Sequence, residues 1–337
     1  MPRFHCAGLA LALCLGPLSA LAESKVTRDW TKYPAIVQID TSEDIFAIGD
    51  VHGDYDRLVR LLAAAKIIER PASPDSLHWI AGKAVLVFTG DMIDKRPHSL
   101  QVVRLTASLD KAAAAKGGRV VALMGNHEAE FLADPTDKKV RDFAQDLRGA
   151  GLAPADIAAC RGEVGQFLCS RPFGARARDW FFSHGGNTGG RTIPQLIADF
   201  QNGVEKDGFG SQQLVGENSM LEARLHGDGA GGRSWFNVES PLVSAESLLS
   251  RYVDALGVAH LVQGHQHQEI LFDDGQRRNA GQMFQWHGLI FLVDVGMSEG
   301  VGDSQGEVLH IIQHKNGDEA VAIHSDGTET VIWKSQR

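Results

Sequence analysis

Ile45-Phe46-Ala47-Ile48-Gly49-Asp50-Val51-His52-Gly53 is the stretch on which the reading of this chain turns. Four apolar residues make a short strand, a glycine lets the backbone turn sharply, and an acid and a histidine follow two apart. The pattern recurs four times. Ala84 to Phe88 ends at Thr89-Gly90-Asp91-Met92-Ile93-Asp94, and Val120 to Met124 ends at Gly125-Asn126-His127-Glu128. Trp180 to Ser183 delivers His184-Gly185-Gly186, and Leu261 to Gln263 leads to Gly264-His265-Gln266-His267. Loops at strand ends hold polar groups where the sheet fixes the backbone beneath them. One such motif is usually a turn; five in order, each after an apolar strand, describe a site.

Helices separate these strands. Leu58 to Ile68 has helical spacing, Ser99 is placed to cap a helix running to about Ala115 before Gly117-Gly118 stops it, and Ser244 to Leu256 is helical. Alternating strand and helix predicts α/β architecture. Residues 23–43 read as an N-terminal arm and 44–337 as one domain with two insertions. The first, 131–178, is rich in Ala, Arg and Asp and reads as mostly helical. The second, 201–234, carries Gly227-Asp228-Gly229-Ala230-Gly231-Gly232 and reads as a mobile loop. The chain ends in four apolar runs, Leu289 to Val293, Val308 to Ile312, Ala320 to Ile323 and Val331 to Trp333, that predict a β meander.

The first 22 residues stand apart. Arg3 is their only charge, Ala7 to Leu18 is apolar, and Ala20-Leu21-Ala22 closes the run with small residues, as in a secretory signal peptide. The expectation is a secreted or periplasmic protein with no membrane attachment after cleavage. Of four cysteines, Cys6 and Cys14 lie in this leader; Cys160 and Cys169 remain as an even pair, which in an exported protein suggests a disulfide. A net charge of −9 argues against nonspecific nucleic-acid binding.

Asp and Asn oxygens with His nitrogens are a mixed donor set that suits Mn, Fe or Zn better than Ca or Mg. Asp91 is placed to give one oxygen to each of two divalent ions. Two ions roughly 3.5–4 Å apart clamp a phosphoryl group and activate the water between them.

These motifs resemble the calcineurin-like metallophosphoesterase superfamily. Gly125-Asn126-His127-Glu128 followed by His184-Gly185-Gly186 looks most like its serine/threonine phosphoprotein phosphatase branch. Val293-Asp294-Val295-Gly296-Met297-Ser298 and the export signal are similar to the bacterial Shewanella-like phosphatases. The resemblance implies a β-sandwich flanked by helices, with a helical insertion over the site and two metals at the strand ends. It implies Asp50 and His52 as ligands of the first metal, Asp91 as the bridge, and Asn126, His184 and His265 as ligands of the second. It implies His127 as the proton donor to the leaving oxygen, with Asp94 orienting its ring, as general acid catalysis requires. The implied reaction is in-line attack by a metal-bridging hydroxide on a phosphate monoester, either a phosphorylated small molecule or a phosphopeptide.

Two departures bear on the site. The branch has Asp-Arg-Gly where this chain has Asp94-Lys95-Arg96, so a lysine stands at the position of the phosphate-clamping arginine and cannot make its planar bidentate contact. Lys95, Arg96 and Arg233 are the candidate substrate-binding residues. His-x-His at 265–267 has the form used by the wider superfamily, where the second histidine is also a ligand, and this makes His267 a further candidate. Glu128 reads as an orienting group. The alternatives are a nucleotidase or phosphodiesterase on the same metal core, and a catalytically silent metal-binding protein.

Overall fold

The computed structural model describes Met1 and residues 28–69, 77–225, 243–272 and 274–335. The leader beyond Met1, the glycine run at 227–232 and Arg233 lie outside the described residues.

Two six-stranded sheets carry the fold. In the first the strands run in the order Ile36–Ile39, Gly174–Ala177, Trp180–Ser183, His260–Gln263, Ile290–Leu292, Phe284–Trp286. In the second the order is Glu329–Lys334, Gly317–His324, Glu307–His314, Ile45–Ile48, Val85–Phe88, Arg119–Ala122. Ile45 and Ala47 share a core with Val85, Val87, Trp180, Phe182 and Val262, drawn from both sheets, whereas Phe46, Ile48, Leu86 and Phe88 belong to the core that includes helix residues such as Leu58 and Val102. Strands buried on both faces need apolar residues at every position, which explains the unbroken runs Ile45–Ile48 and Val85–Phe88.

The pairing positions the site. Ile45–Ile48, Val85–Phe88 and Arg119–Ala122 are parallel neighbours in the second sheet. Trp180–Ser183 and His260–Gln263 are parallel neighbours in the first. Parallel pairing brings the C-terminal ends of neighbouring strands together, so the five motifs converge.

Several expectations are corrected. The arm at 23–43 contains a strand, Ile36–Ile39, parallel to Gly174–Ala177. Arg28 fastens it by donating to the carbonyls of Tyr33, Pro34, Cys169, Ser170 and Arg171. The helix read at 58–68 is Tyr55–Ala64, started by Asp54, whose side chain accepts from the Arg57 N–H. Ser99 is the first helical residue rather than the cap, because its hydroxyl is committed to the Asp94 N–H and the Arg96 carbonyl. The first insertion is helical through Gly162–Cys169, where the Cys160–Cys169 disulfide closes it, but Gly174–Ala177 is a strand. The start of the second insertion is not loop: Ile193–Asp207 is one helix, opened by a reciprocal Thr192–Gln195 capping box with Pro194 in its first turn. Three of the four C-terminal runs form the meander, while Ile290–Leu292 pairs with His260–Gln263 in the other sheet. Among the described residues no helix is long and apolar enough to cross a membrane.

Candidate metal centre

The motif loops are tied to one another before any ligand is considered. The N–H groups of Val51 and His52 both donate to the Asp91 carbonyl, at 3.0 and 2.9 Å. Buried Glu128 accepts from the N–H groups of Asp91, Met92 and Gly125 at 2.8–2.9 Å, and so clamps two motifs together. Burial and the neighbouring Asp91 push its carboxyl up to about 7. Gly125 leaves room for Asp91, since a Cβ there would lie 2.1 Å from Asp91 Oδ1. His52, Asp91, Asp94, Lys95 and His265 all have positive φ, between 46° and 65°, a strained backbone state of the kind that clusters at functional sites.

Two groups of donor atoms result. Asp50, Asp91, His184 and His265 form one, and His52, Asp91 and His127 the other, each within 4.8 Å and each buried. Asp91 belongs to both. Asn126 joins the first through Oδ1, 2.9 Å from His184 Nε2.

The protonation pattern calls for cations. His52 Nδ1 faces the Ile93 carbonyl at 3.0 Å and His184 Nδ1 the Thr89 carbonyl at 3.0 Å, so those nitrogens carry the hydrogen. In the neutral rings the Nε2 lone pairs point at oxygen acceptors. His52 Nε2 is 3.8 Å from Asp50 and 3.7 Å from Asp91, and His184 Nε2 is 3.4 Å from Asp91. Acceptor facing acceptor in a buried space is repulsive unless a proton or a metal ion lies between. Burial, Asp294 and Asp91 push the Asp50 carboxyl well up. Burial opposes the charged form of His184, yet Asp91 and Asp50 drive it up to about 10. His265 directs Nε2 at the Glu222 carbonyl, 3.1 Å away, which leaves Nδ1 free. The residues present therefore fit a pair of divalent cations.

His127 and Asp94 form a dyad. His127 Nδ1 is 3.1 Å from Asp94 Oδ2, and the other oxygen, Asp94 Oδ1, accepts the Phe143 N–H at 2.9 Å. Burial disfavours the imidazolium, but Asp91 and the Asp94 bond outweigh it and raise the His127 pKa.

A pocket of about 270 Å³ opens over these groups and includes Lys95, Arg224, His267, Gly300 and Val301 in its lining. Lys95, a candidate from the sequence, is among these lining residues. Arg96 does not line the pocket: its guanidinium pairs with Glu299 at 2.9 Å, and Glu299 is held in turn by buried Arg57 at 3.2 Å. His267 lines the pocket but joins neither donor group; its Nδ1 lies 3.4 Å from buried Asp294. Arg224 escaped the sequence reading, which favoured Arg233. The available signal was its position just before the glycine run, on the segment whose Glu222 carbonyl meets His265.

A family model described as calcineurin-like phosphoesterase matches residues 44–269, a span that holds every donor named above. The chain belongs to that family. Shewanella-like protein phosphatase 1 of Plasmodium berghei is 32% identical over 108 residues, 32% of this chain and 28% of that protein. A symmetrical bis(5'-nucleosyl)-tetraphosphatase of Methylococcus capsulatus is 32% identical over 142 residues, 42% of each. The chain thus matches well under half the length of these curated relatives. Among solved structures, the cold-active protein-tyrosine phosphatase of a psychrophilic Shewanella has the same fold as this calcineurin-like chain, with a TM-score of 0.63, 24% identity, and coverage of 89% and 82% of the two chains.

Proposed function

We propose that this chain hydrolyses phosphate monoesters, with phosphorylated polypeptides as the preferred class, using two divalent cations drawn from Mn, Fe or Zn. The observation that carries the reading is the single buried carboxylate of Asp91 shared by two donor groups, with the His127–Asp94 dyad at the same pocket. Asp50, grouped with His184 and His265 but also 3.8 Å from His52, would hold one cation with His52 and Asp91; Asn126, His184 and His265 would hold the other. What such a pair supplies when bound is neutralisation of phosphoryl charge and a water acidified enough to attack phosphorus. Lys95 and Arg224 bind the non-bridging oxygens. His127 gives its Nε2 proton to the departing oxygen, and Asp94 fixes the ring through Nδ1. Gly300 and Val301 line the same pocket.

A second reading, hydrolysis of dinucleoside polyphosphates, is favoured by the match to the Methylococcus tetraphosphatase. Specificity constants for p-nitrophenyl phosphate, its bis-ester and a dinucleoside tetraphosphate, measured with Mn, separate the readings. Preference for the monoester supports the proposal, and a clear preference for either other substrate overturns it. We further propose an exported, oxidised protein. The apolar leader at 1–22 and the Cys160–Cys169 disulfide support this, and N-terminal sequencing from the native host tests it.

A further inference from the structure

An open groove of about 660 Å³ lies beside the catalytic pocket and shares Lys95 with it. One wall is the start of the helix Ser99–Ala114; the other is the helix Arg141–Gly149 of the first insertion. His98, Gln101 and Arg104 line it at a spacing of three, so they form one stripe along the first helix. The facing wall carries two acids, each with a neighbour of its own. Asp146 Oδ2 accepts the Leu100 N–H at 2.7 Å, and Asp142 lies 3.7 Å from Arg141. Arg96 is taken up by Glu299. The side chains of Lys95 and Arg104 have no salt bridge among the described residues, so the groove presents two cations open to an acidic ligand.

The occupant follows from this lining. It contains no Phe, Tyr or Trp on which a nucleobase would stack. Gln101 and Gln145 offer both donors and acceptors, which suits a peptide backbone. The six steps from the cap residue His98 to Arg104 span about 9 Å, the length of about three residues of extended peptide. We propose that the groove receives the polypeptide on one side of the phosphorylated residue, and that Arg104 selects an acidic side chain about three or four residues away. The inference rests on the phosphatase reading above and names its substrate class.

The test uses the full-length mature protein with Mn and a set of phosphopeptides. Each carries Asp, Ala or Lys at one position between two and five residues before or after the phosphorylated residue. p-Nitrophenyl phosphate is run in parallel. Asp on one side, at one or two adjacent positions, is expected to raise kcat/KM about three- to tenfold over Ala, mainly through KM, as for one partly exposed ion pair. Arg104→Glu is expected to invert the preference towards Lys, and Arg104→Gln to erase it. An unstable Arg104→Glu protein leaves the Arg104→Gln result to decide. A wild-type enzyme that hydrolyses p-nitrophenyl phosphate but treats all peptides alike overturns the groove's role, as does a preference that survives both substitutions. Absence of turnover on every substrate overturns the phosphatase reading itself, and the groove's role falls with it.

Discussion

Asp94→Asn separates holding a proton donor from holding a metal. Asp94 belongs to neither donor group, and its carboxylate meets His127 Nδ1 at 3.1 Å in a buried space. The amide keeps the size of the side chain and can keep the Phe143 N–H bond through its oxygen. Its nitrogen then faces His127 Nδ1, so the ring must offer a lone pair there and the imidazolium loses its partner. At 3.1 Å and an effective dielectric of ~20, the lost attraction is about 5 kcal/mol. Relaxation and the retained hydrogen bond are expected to leave about half of this in the transition state, roughly 2–3 kcal/mol, or about 30- to 150-fold in kcat. The loss should fall on alkyl phosphates, whose oxygen needs the proton, and stay under about tenfold on p-nitrophenyl phosphate. His127→Ala should cost about 10²–10⁴ on the alkyl ester. Because Asp94 acts through His127, the double variant should be no worse than His127→Ala alone. The assay is kcat on both esters for all four proteins, with metal content by elemental analysis. Additive losses, equal losses on both esters, or metal lost from Asp94→Asn would refute the reasoning.

Asp91→Asn, in contrast, should lose both ions and about three orders of magnitude or more in activity together, since one carboxylate serves both donor groups; elemental analysis of an inactive variant still holding two metals would contradict this. His267→Ala should keep the metal stoichiometry of the wild type, because its ring lies outside both donor groups; calorimetric titration with Mn checks it, and loss of one ion would contradict it. Arg28→Ala leaves five carbonyls without their donor and should lower stability by about 2–3 kcal/mol, read from denaturant midpoints at unchanged slope. The His310 hydrogen bond holds the Asp44 carboxyl below its ordinary value. The stabilisation from Asp44 is therefore present above the unfolded value and lost as pH falls through the lower, folded one. Asp44→Asn should cost under about 1 kcal/mol at neutral pH, with the difference from wild type vanishing in acid.

The parts of the site that were legible in the sequence share a cause. Asp50, Asp91, Asn126, His184 and His265 each follow an apolar strand by one to four residues, so the pattern that predicts the strand also places the donor. The sheet then does the rest, because parallel neighbours bring their C-terminal ends together whatever the intervening chain contains. The illegible parts depend on partners remote in sequence. Nothing local tells whether Lys95 or Arg96 faces the pocket; Glu299, itself held by Arg57, draws Arg96 aside. His267 has the spacing of a ligand, and the contact of its Nδ1 with Asp294 is one that no local pattern shows. The strand Ile36–Ile39 is only four residues long and pairs with Gly174–Ala177 far down the chain, so no periodicity betrays it. Arg224 reaches the pocket from a segment without a strand beneath it. Strand ends therefore encode the metal chemistry locally, while the residues that bind phosphate and select substrate are set by contacts between loops. Substitutions at Glu299 or Arg224 in those loops, or at Arg104 on the helix Ser99–Ala114, can change which phosphate ester is bound while the donor set, fixed by the sheets, stays as it is.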